Sequence, residues 1–266
     1  MPQSTENRYL RILERIFLSR YAKGAREVEF ERDDIVRAAE ELKLELPKNL
    51  GDLVYSFRYR QDLPKSIASR APQGESWIIL PAGKSRYRFA ATPLSTIVPA
   101  LGIAETKVPD ATPGLISMYA LTDEQALLAK LRYNRLIDIF TGLTCYSLQS
   151  HLRTTVPSMG QVETDEIYVG IDKRGAHYVI PVQAKGGADR LSIVQVEQDC
   201  EVGAVKFPAL ICRPIAAQFM GNDLIALFLF ERSGPTSAIS SEKHFRLVPP
   251  EQMTAEDLDA YRRRTE

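Results

Sequence analysis

The sequence has few of the residues that build disulfide frameworks, and it has no long hydrophobic run. Among 266 residues there are three cysteines, Cys145, Cys200 and Cys212, which stand far apart in apolar surroundings. Such spacing predicts reduced core residues and not a disulfide framework or a zinc cluster. The N-terminus lacks a signal-peptide pattern, and no apolar run approaches the length of a membrane span. We therefore expect an intracellular, cytoplasmic protein.

Histidine and net charge are also scarce. The three histidines, His151, His177 and His244, are too few and too dispersed to predict a histidine metal site, so each is expected to be structural. The 34 basic and 34 acidic residues cancel, and the overall charge therefore says nothing about nucleic acid. What is present is 44% hydrophobic residues in a chain long enough for two domains with real cores.

Residues 1–95 predict one of these domains. Hydrophobic periodicity and turn signals predict, in order, a helix, a short strand, two helices and a terminal hairpin. This order resembles the winged-helix class in pattern only. The predicted elements are a helix over residues 6–23, a strand over Glu27–Phe30, a helix from Asp33 or Asp34 through Leu44, a helix from Leu50 to Phe57, and strands over Trp77–Leu80 and Tyr87–Ala91.

A local excess of positive charge accompanies the predicted hairpin. From Ser56 to Ala90 there are seven basic residues and two acidic ones, which leaves five net positive charges. Such a patch attracts phosphates, so this domain is expected to bind DNA. The alternatives are a solvated basic surface or a protein contact. The candidate DNA-binding residues are Lys48, Asn49, Arg58, Arg60, Lys84 and Arg86.

Four prolines and two glycines between Pro93 and Gly114 predict a linker over residues 96–114. Residues 115–266 then predict an α/β domain with a mixed sheet. Besides the hairpin described next, the predicted elements are a buried helix that Thr122 caps, a helical piece from Thr144 to about Arg153, a helix over Asp189–Cys200, strands over Pro208–Ile215 and Leu224–Phe230, and a terminal helix over Thr254–Arg264.

The segment GQVETDEIYVGIDKRGAHYVIPVQAK, which begins at Gly160, predicts a β-hairpin. Its strands are Val162–Ile171 and Tyr178–Lys185, and Asp172–Gly175 has the turn formers and the glycine of a tight connection.

Polar side chains are expected to meet at one end of this hairpin. Because strand side chains alternate with a period of two, Gln183 and Lys185 share a face, and so do Glu163 and Asp165. Folding about Lys173 and Arg174 brings Asp165 opposite the stretch around Val182 and Gln183. Carboxylate, amide oxygen and ammonium are therefore predicted to converge on one spot, with Glu166 pointing the other way.

On these residues the sequence resembles the PD-(D/E)xK nuclease superfamily, which includes many restriction endonucleases and Holliday-junction resolvases. Asp165 looks like the metal-binding aspartate of the motif, and Lys185 looks like its lysine. Gln183 stands where the second acid normally is, and divergent members carry glutamine there. The resemblance covers roughly the C-terminal half of the chain. It implies a restriction-endonuclease-like mixed central sheet flanked by helices.

The resemblance implies an Mg²⁺- or Mn²⁺-dependent endonuclease, of restriction or defence type, that hydrolyses DNA phosphodiester bonds. Asp165, Gln183 and the Ala184 carbonyl are then the metal ligands, and Lys185 stabilises charge or orients water. Glu163 can restore the negative charge that Gln183 lacks. Family nucleases often place an acid on the preceding helix, for which Glu124 and Asp138 are candidates. Gln195 and Gln198 on the following helix can reach the site or the DNA backbone, but the pattern of each alone favours a solvated helix face.

Three alternatives stay open. Neutral Gln183 favours a non-cleaving DNA-binding or regulatory protein that retains a nuclease fold. An RNA-processing enzyme would share the chemistry, and an ordinary half-exposed hairpin would carry the same polar residues on its solvent face. The expected partner is DNA, and a homodimer is predicted because duplex cleavage commonly uses two active sites.

Overall fold

The computed structural model describes residues 5–46, 49–59, 61–119, 124–186, 189, 191–221, 223–233 and 236–264. Within these residues the chain is a mixed α+β protein, as predicted. It forms two compact units, of which the first extends to Ile97 and also includes residues 154–162 and 192–194. The second comprises residues 98–153, 163–191 and 195–266. None of the helices in the described ranges is both long and apolar enough to cross a membrane.

The chain up to Ile97 contains four helices and four strands in its described part. Three of the strands form an antiparallel sheet in the order β1-β3-β2. The elements are α1 (Thr5–Arg20), β1 (Glu27–Glu31), α2 (Arg32–Glu41), α3 (Leu50–Tyr59), α4 (Lys65–Ala68), β2 (Ser76–Pro81), β3 (Arg86–Thr92) and β4 (Thr96–Ile97).

Aromatic packing holds this sheet against α1. The Phe17 ring on α1 meets the Phe89 ring on β3 edge-on, with the ring centroids 5.1 Å apart. Phe30 on β1 is buried beside Phe89, because alternate residues of β1 face the core. The helix α2 begins at Arg32, one residue before the predicted caps, and the Asp34 carboxylate accepts a hydrogen bond from the Glu31 amide at 2.7 Å. The sequence therefore predicted these elements, but the residue that caps α2 is Glu31 and not Asp33 or Asp34.

The rest of the chain is built around one large mixed sheet. Its strands lie in the order β5-β13-β12-β11-β8-β7-β6, and β10 also pairs with β8. The elements are β5 (Glu105–Pro109), α5 (Gly114–Tyr119), α6 (Glu124–Tyr133), α7 (Leu136–Thr141), β6 (Thr144–Val156), β7 (Gly160–Ile171), β8 (His177–Lys185), β9 (Leu191–Ser192), α8 (Ile193–Lys206), β10 (Ile211–Cys212), β11 (Ile215–Gly221), β12 (Leu224–Ser233), β13 (Thr236–Val248), a 3-10 turn (Pro250–Gln252) and α9 (Ala255–Arg263).

Strand direction changes along this sheet. β7 and β8 are antiparallel, whereas β11 runs parallel to β8 and is reached through α8. β12 and β13 continue antiparallel from β11, and β5 closes the edge parallel to β13. Leu131 of α6 and Ile137 of α7 belong to the same buried cluster as Ile180, Val182 and Ala217 of the sheet. This packing fixes α6 against the strands that carry the predicted motif.

Several predictions about this part of the chain were wrong. Of the strand predicted over Pro208–Ile215, only Ile211–Cys212 and the first residue of β11 are in strands. The segment from Thr144 to Arg153 belongs to strand β6 and is not helical. The long helix before it breaks at Arg135, whose φ of +50° is outside the helical range, and α7 follows as a separate piece. Residues 105–109, assigned to a linker, form the edge strand β5. The predicted cap Thr122 lies outside the described residues.

Close packing between α8 and β10 leads to a stability prediction. A Cβ added at Gly203 would meet Cys212, with the Cys212 Cβ at 3.0 Å and its Sγ nearer still. We expect Gly203→Ala to lower the free energy of unfolding by about 1–3 kcal/mol, as overpacked cores do, in urea denaturation. Cys212→Ala in the same chain should recover part of the loss. The control is Gly114→Ala on α5, where an added Cβ meets nothing within 4 Å.

Candidate active site

The hairpin predicted from the sequence is present, and its turn is held by Asp172. The register pairs Glu166 with Val182 at one end and Ile171 with His177 at the other. The Asp172 carboxylate accepts hydrogen bonds from the amides of Arg174 (2.8 Å) and Ala176 (2.9 Å). These backbone bonds, the bond to Ala176 foremost, lower the pKa of Asp172 to about 2.

Asp165 lies just beyond the last pair of this ladder and is only 8% exposed. Its Oδ2 accepts a hydrogen bond from the Ala184 amide at 2.8 Å. Burial raises the pKa of Asp165, and the Glu124 carboxylate raises it further, whereas the Ala184 amide and the Lys185 ammonium oppose this rise. Asp165 is therefore a buried acid in electrostatic contact with Lys185 and Glu124.

Lys185 forms an ion pair with Glu124, the first described residue of α6. The Lys185 side chain is 16% exposed and the Glu124 side chain 33%. Glu124 is thus the acid that the preceding helix brings to the motif. The other candidate, Asp138, pairs with Arg135 and accepts a hydrogen bond from the Cys145 amide at 2.9 Å, which fixes the turn between α7 and β6.

Gln183 is 1% exposed, and its amide bonds groups other than the Asp165 carboxylate. Its Nε2 donates to the Glu163 carbonyl and to Asp199 Oδ1, both at 3.2 Å. Its Oε1 accepts from Gln195 Nε2 at 3.2 Å, so Gln195 of α8 reaches this residue. The Gln183 amide was predicted to converge with Asp165 and Lys185. It bonds Asp199 and Gln195 of α8 instead.

Glu163 and Glu166 are both paired with basic side chains. The Glu163 carboxylate is half-exposed and accepts from Arg153 Nε at 3.0 Å. The Glu166 carboxylate is fully buried and accepts from Arg132 Nη2 (2.9 Å) and Ser147 Oγ (2.5 Å). Glu163 was predicted to be catalytic. Its carboxylate lies at the outer side of the hairpin, where it pairs with Arg153 of β6.

Sequence reasoning missed His151. It lies on β6 with a φ of +50°, a left-handed conformation that is uncommon for a histidine in a strand. Its Nε2 is 2.5 Å from Gln125 Nε2, and its Nδ1 is 3.6 Å from Glu163 Oε1. A positive charge on this ring would lower the pKa of Asp165. The segment was predicted to be helical, so no sequence signal placed this ring beside the acids.

The two acids of this site share one lysine. Asp165 and Glu124 both act on a single ammonium, that of Lys185. Within the described ranges, no group of three or more His, Cys, Asp or Glu side chains has the arrangement of a metal centre. Two carboxylates with hard oxygen donors nevertheless suit Mg²⁺, which keeps several waters and needs few protein ligands.

The predicted DNA-binding residues differ in their availability. Lys84 and Arg86 are exposed at the turn between β2 and β3. Asn49 bonds the Gly51 amide (3.0 Å) and Asp52 (2.8 Å) at the start of α3. The Arg58 guanidinium packs over the Tyr87 ring at 5.4 Å, and burial lowers its pKa. Lys48 and Arg60 lie outside the described residues.

Asp199 makes the stability of the protein depend on pH. It is fully buried, and burial raises its pKa to about 8 from an ordinary 3.8. The folded chain therefore holds a proton that the unfolded chain releases, and the free energy of unfolding should fall as pH rises from about 4 to about 8. Asn cannot ionise, so Asp199→Asn should not show this loss of stability. In thermal unfolding, the melting temperature of Asp199→Asn minus that of wild type should therefore be larger at pH 8 than at pH 5.

A matched control for this experiment is Asp172→Asn. The pKa of Asp172 is lowered, so its contribution is already complete at pH 5 and is lost only at lower pH. The difference in melting temperature between this variant and wild type should be the same at pH 5 and pH 8. An equal offset for Asp199→Asn at both pH values would contradict a raised pKa at Asp199.

The buried acid, the lysine and the helix acid come from three separate elements, β7, β8 and α6, which meet at the open end of the hairpin. These groups can bind a divalent cation and an anionic substrate. No model of a known protein family, no curated protein and no solved structure matches the chain. The function proposed below therefore depends on the geometry of this site.

Proposed function

We propose that the chain is a metal-dependent endonuclease that hydrolyses phosphodiester bonds in DNA. The order of elements in the second unit supports this. A helix (α6) precedes three strands joined by short turns (β6, β7 and β8), and α8 then leads to β11, which is parallel to β8. The resemblance to PD-(D/E)xK nucleases implies such a mixed sheet flanked by helices, with the motif on the hairpin.

One observation carries the proposal. Asp165 and Lys185, the two residues that match the motif, act on each other at the end of the hairpin, and Glu124 joins them from the preceding helix. A solvated hairpin would not bury an aspartate beside a second carboxylate, since burial of a charge is costly without partners. The arrangement is typical of a site that binds a cation.

Asp165 and Glu124 would hold the metal ion, together with the Ala184 carbonyl that the resemblance implies. When bound, a divalent ion polarises the scissile phosphate and lowers the pKa of bound water. Lys185 is placed to stabilise the charge that develops on the phosphate or to orient the attacking water. An incoming phosphate would compete with Glu124 for the Lys185 ammonium and free that carboxylate.

The N-terminal unit supports a role in DNA binding. Its helices and its β1-β3-β2 sheet follow the order of a winged helix, and Lys84 and Arg86 lie exposed at the turn of the β2–β3 hairpin. Exposed basic side chains on a hairpin turn can neutralise phosphates of the duplex backbone. We propose that this unit contributes affinity for DNA.

A second function is favoured by Gln183. Its neutral amide bonds Asp199, Gln195 and the Glu163 carbonyl, and so adds no charge to the metal-binding set. A protein that binds DNA without cutting it would tolerate this arrangement. Homodimer formation stays a prediction for either function.

Cleavage assays separate the two functions. Supercoiled plasmid incubated with the protein and Mg²⁺ or Mn²⁺ should be nicked or linearised, and a chelator should stop the reaction. Asp165→Ala and Lys185→Ala should each lower the rate by at least ~10²-fold, because the first removes a proposed metal ligand and the second a group that stabilises the developing charge.

Lys173→Ala is the matched control, since Lys173 is an exposed lysine in the turn of the same hairpin. It should cleave like wild type. Metal-independent DNA binding, with no cleavage by the wild-type protein in either metal, would favour the non-cleaving function. Cleavage of RNA in place of DNA would keep the chemistry and change the substrate.

Lys84→Ala tests the DNA-binding role of the N-terminal unit. Loss of one phosphate contact should weaken binding for all sequences and reduce the slope of log K against log salt by ~0.9. Lys23→Ala, an exposed lysine of the same unit away from this turn, is the control in fluorescence anisotropy. Equal affinities and slopes for both variants would argue against a DNA contact at the β2–β3 turn.

A further inference from the structure

Side-chain hydrogen bonds hold residues 163–165 where the paired ladder of β7 and β8 ends. The register of the two strands stops at Glu166 and Val182. Beyond it, the Glu163 carbonyl accepts from Gln183 Nε2 (3.2 Å), Thr164 Oγ1 donates to Asp199 Oδ1 (2.6 Å), and Asp165 Oδ2 accepts from the Ala184 amide (2.8 Å). Each of these three consecutive residues is fixed by a bond of its own.

Asp199 lies at the centre of this arrangement. It is fully buried on α8, and its Oδ1 accepts from both Thr164 and Gln183. Gln195, one helical turn earlier, donates to Gln183 Oε1. Thr164, which precedes Asp165, and Gln183 on the neighbouring strand therefore both donate to Asp199 Oδ1.

The chemistry of these bonds requires an amide at position 183. Its NH₂ donates to Asp199 and to the Glu163 carbonyl, while its oxygen accepts from Gln195. A carboxylate only accepts, so an ionised glutamate at this position would leave the Glu163 carbonyl without its donor. Glutamine therefore fits this position, because its amide both donates and accepts the bonds that the neighbouring groups make.

We propose that Asp199 is a positioning residue, which acts through Thr164 and Gln183 to fix the place of the Asp165 carboxylate, and that Gln183 is a structural link to α8 and not a metal ligand. This inference rests on the proposed nuclease function for its effect on activity. Its structural part concerns the bond between Asp165 and the Ala184 amide, which can be measured whether or not the protein cleaves DNA.

Hydrogen exchange of the Ala184 amide reports that bond directly. In Asp199→Ala, exchange at Ala184 should accelerate by at least ~10-fold, the equivalent of one lost hydrogen bond, while amides of β12 and β13 keep their protection. Plasmid cleavage should lose kcat with little change in KM, because a misplaced Asp165 affects the reaction more than substrate binding. Asp199→Asn, whose amide oxygen can accept the same two bonds, should restore both readouts.

Restoring the motif's usual acid separates a structural link from a ligand. Gln183→Glu should accelerate Ala184 exchange and lower kcat, whereas a residue acting as ligand would gain metal affinity and activity with the added charge. Cleavage by Gln183→Glu at or above the wild-type rate would overturn the proposal. The proposal would also be overturned if the Ala184 amide of Asp199→Ala exchanged at the wild-type rate. It would likewise be overturned if Asp199→Asn showed the same faster exchange and the same loss of kcat as Asp199→Ala.

Glu197→Ala is the matched control, because Glu197 is a buried acid on the same helix whose carboxylate bonds Ser237 and Arg232 instead. It should lower the melting temperature and leave Ala184 exchange unchanged. If Asp199→Ala fails to fold, Thr164→Val removes one of the two bonds, and unchanged exchange there refutes the proposal. A wild-type protein that cleaves no nucleic acid defeats the nuclease function, and the Ala184 amide still decides the positioning role.

Discussion

A buried carboxylate at the open end of a β-hairpin is the constraint on which the site depends. Asp165 loses most of its hydration there, and the Ala184 amide and the Lys185 ammonium offset part of that loss. Burial of an unpaired charge costs several kcal/mol, so Asp165 requires the neighbours it has. Lys185 is also bound by Glu124, and the two acids therefore exceed the positive charge available from this lysine. This excess of carboxylate over ammonium is the basis on which we propose a cation site.

The helix α8 connects the architecture of the sheet to this chemistry. It makes the crossover that places β11 parallel to β8, and its buried face carries Asp199 against the hairpin. The same packing excludes water from Asp199, which raises its pKa to about 8. A neutral carboxyl there can be buried at less cost than a charged one. The sheet and the electrostatics are thus set by one helix.

Local patterns explain which elements could be predicted. The hairpin has strong turn residues and a period of two on both strands, and β1 and α2 have equally clear signals. The strand β6 has Tyr146, Leu148 and Leu152 at spacings that fit a helix or a strand, and it was assigned to the wrong class. Its strand form depends on pairing within the sheet, which short-range propensity does not contain. Because of this error, the position of His151 beside the acids was not predicted.

The sequence by itself determined the α+β class, the hairpin and the nearness of Asp165 to residues 183–185, because turn chemistry and alternation act over a few residues. Only the tertiary structure decided that Glu124 is the acid that meets Lys185, and that Gln183 bonds Asp199 on α8. Those partners are 61 and 16 residues apart along the chain. Contacts over such separations arise from the packing of helices on the sheet, which one sequence does not specify residue by residue.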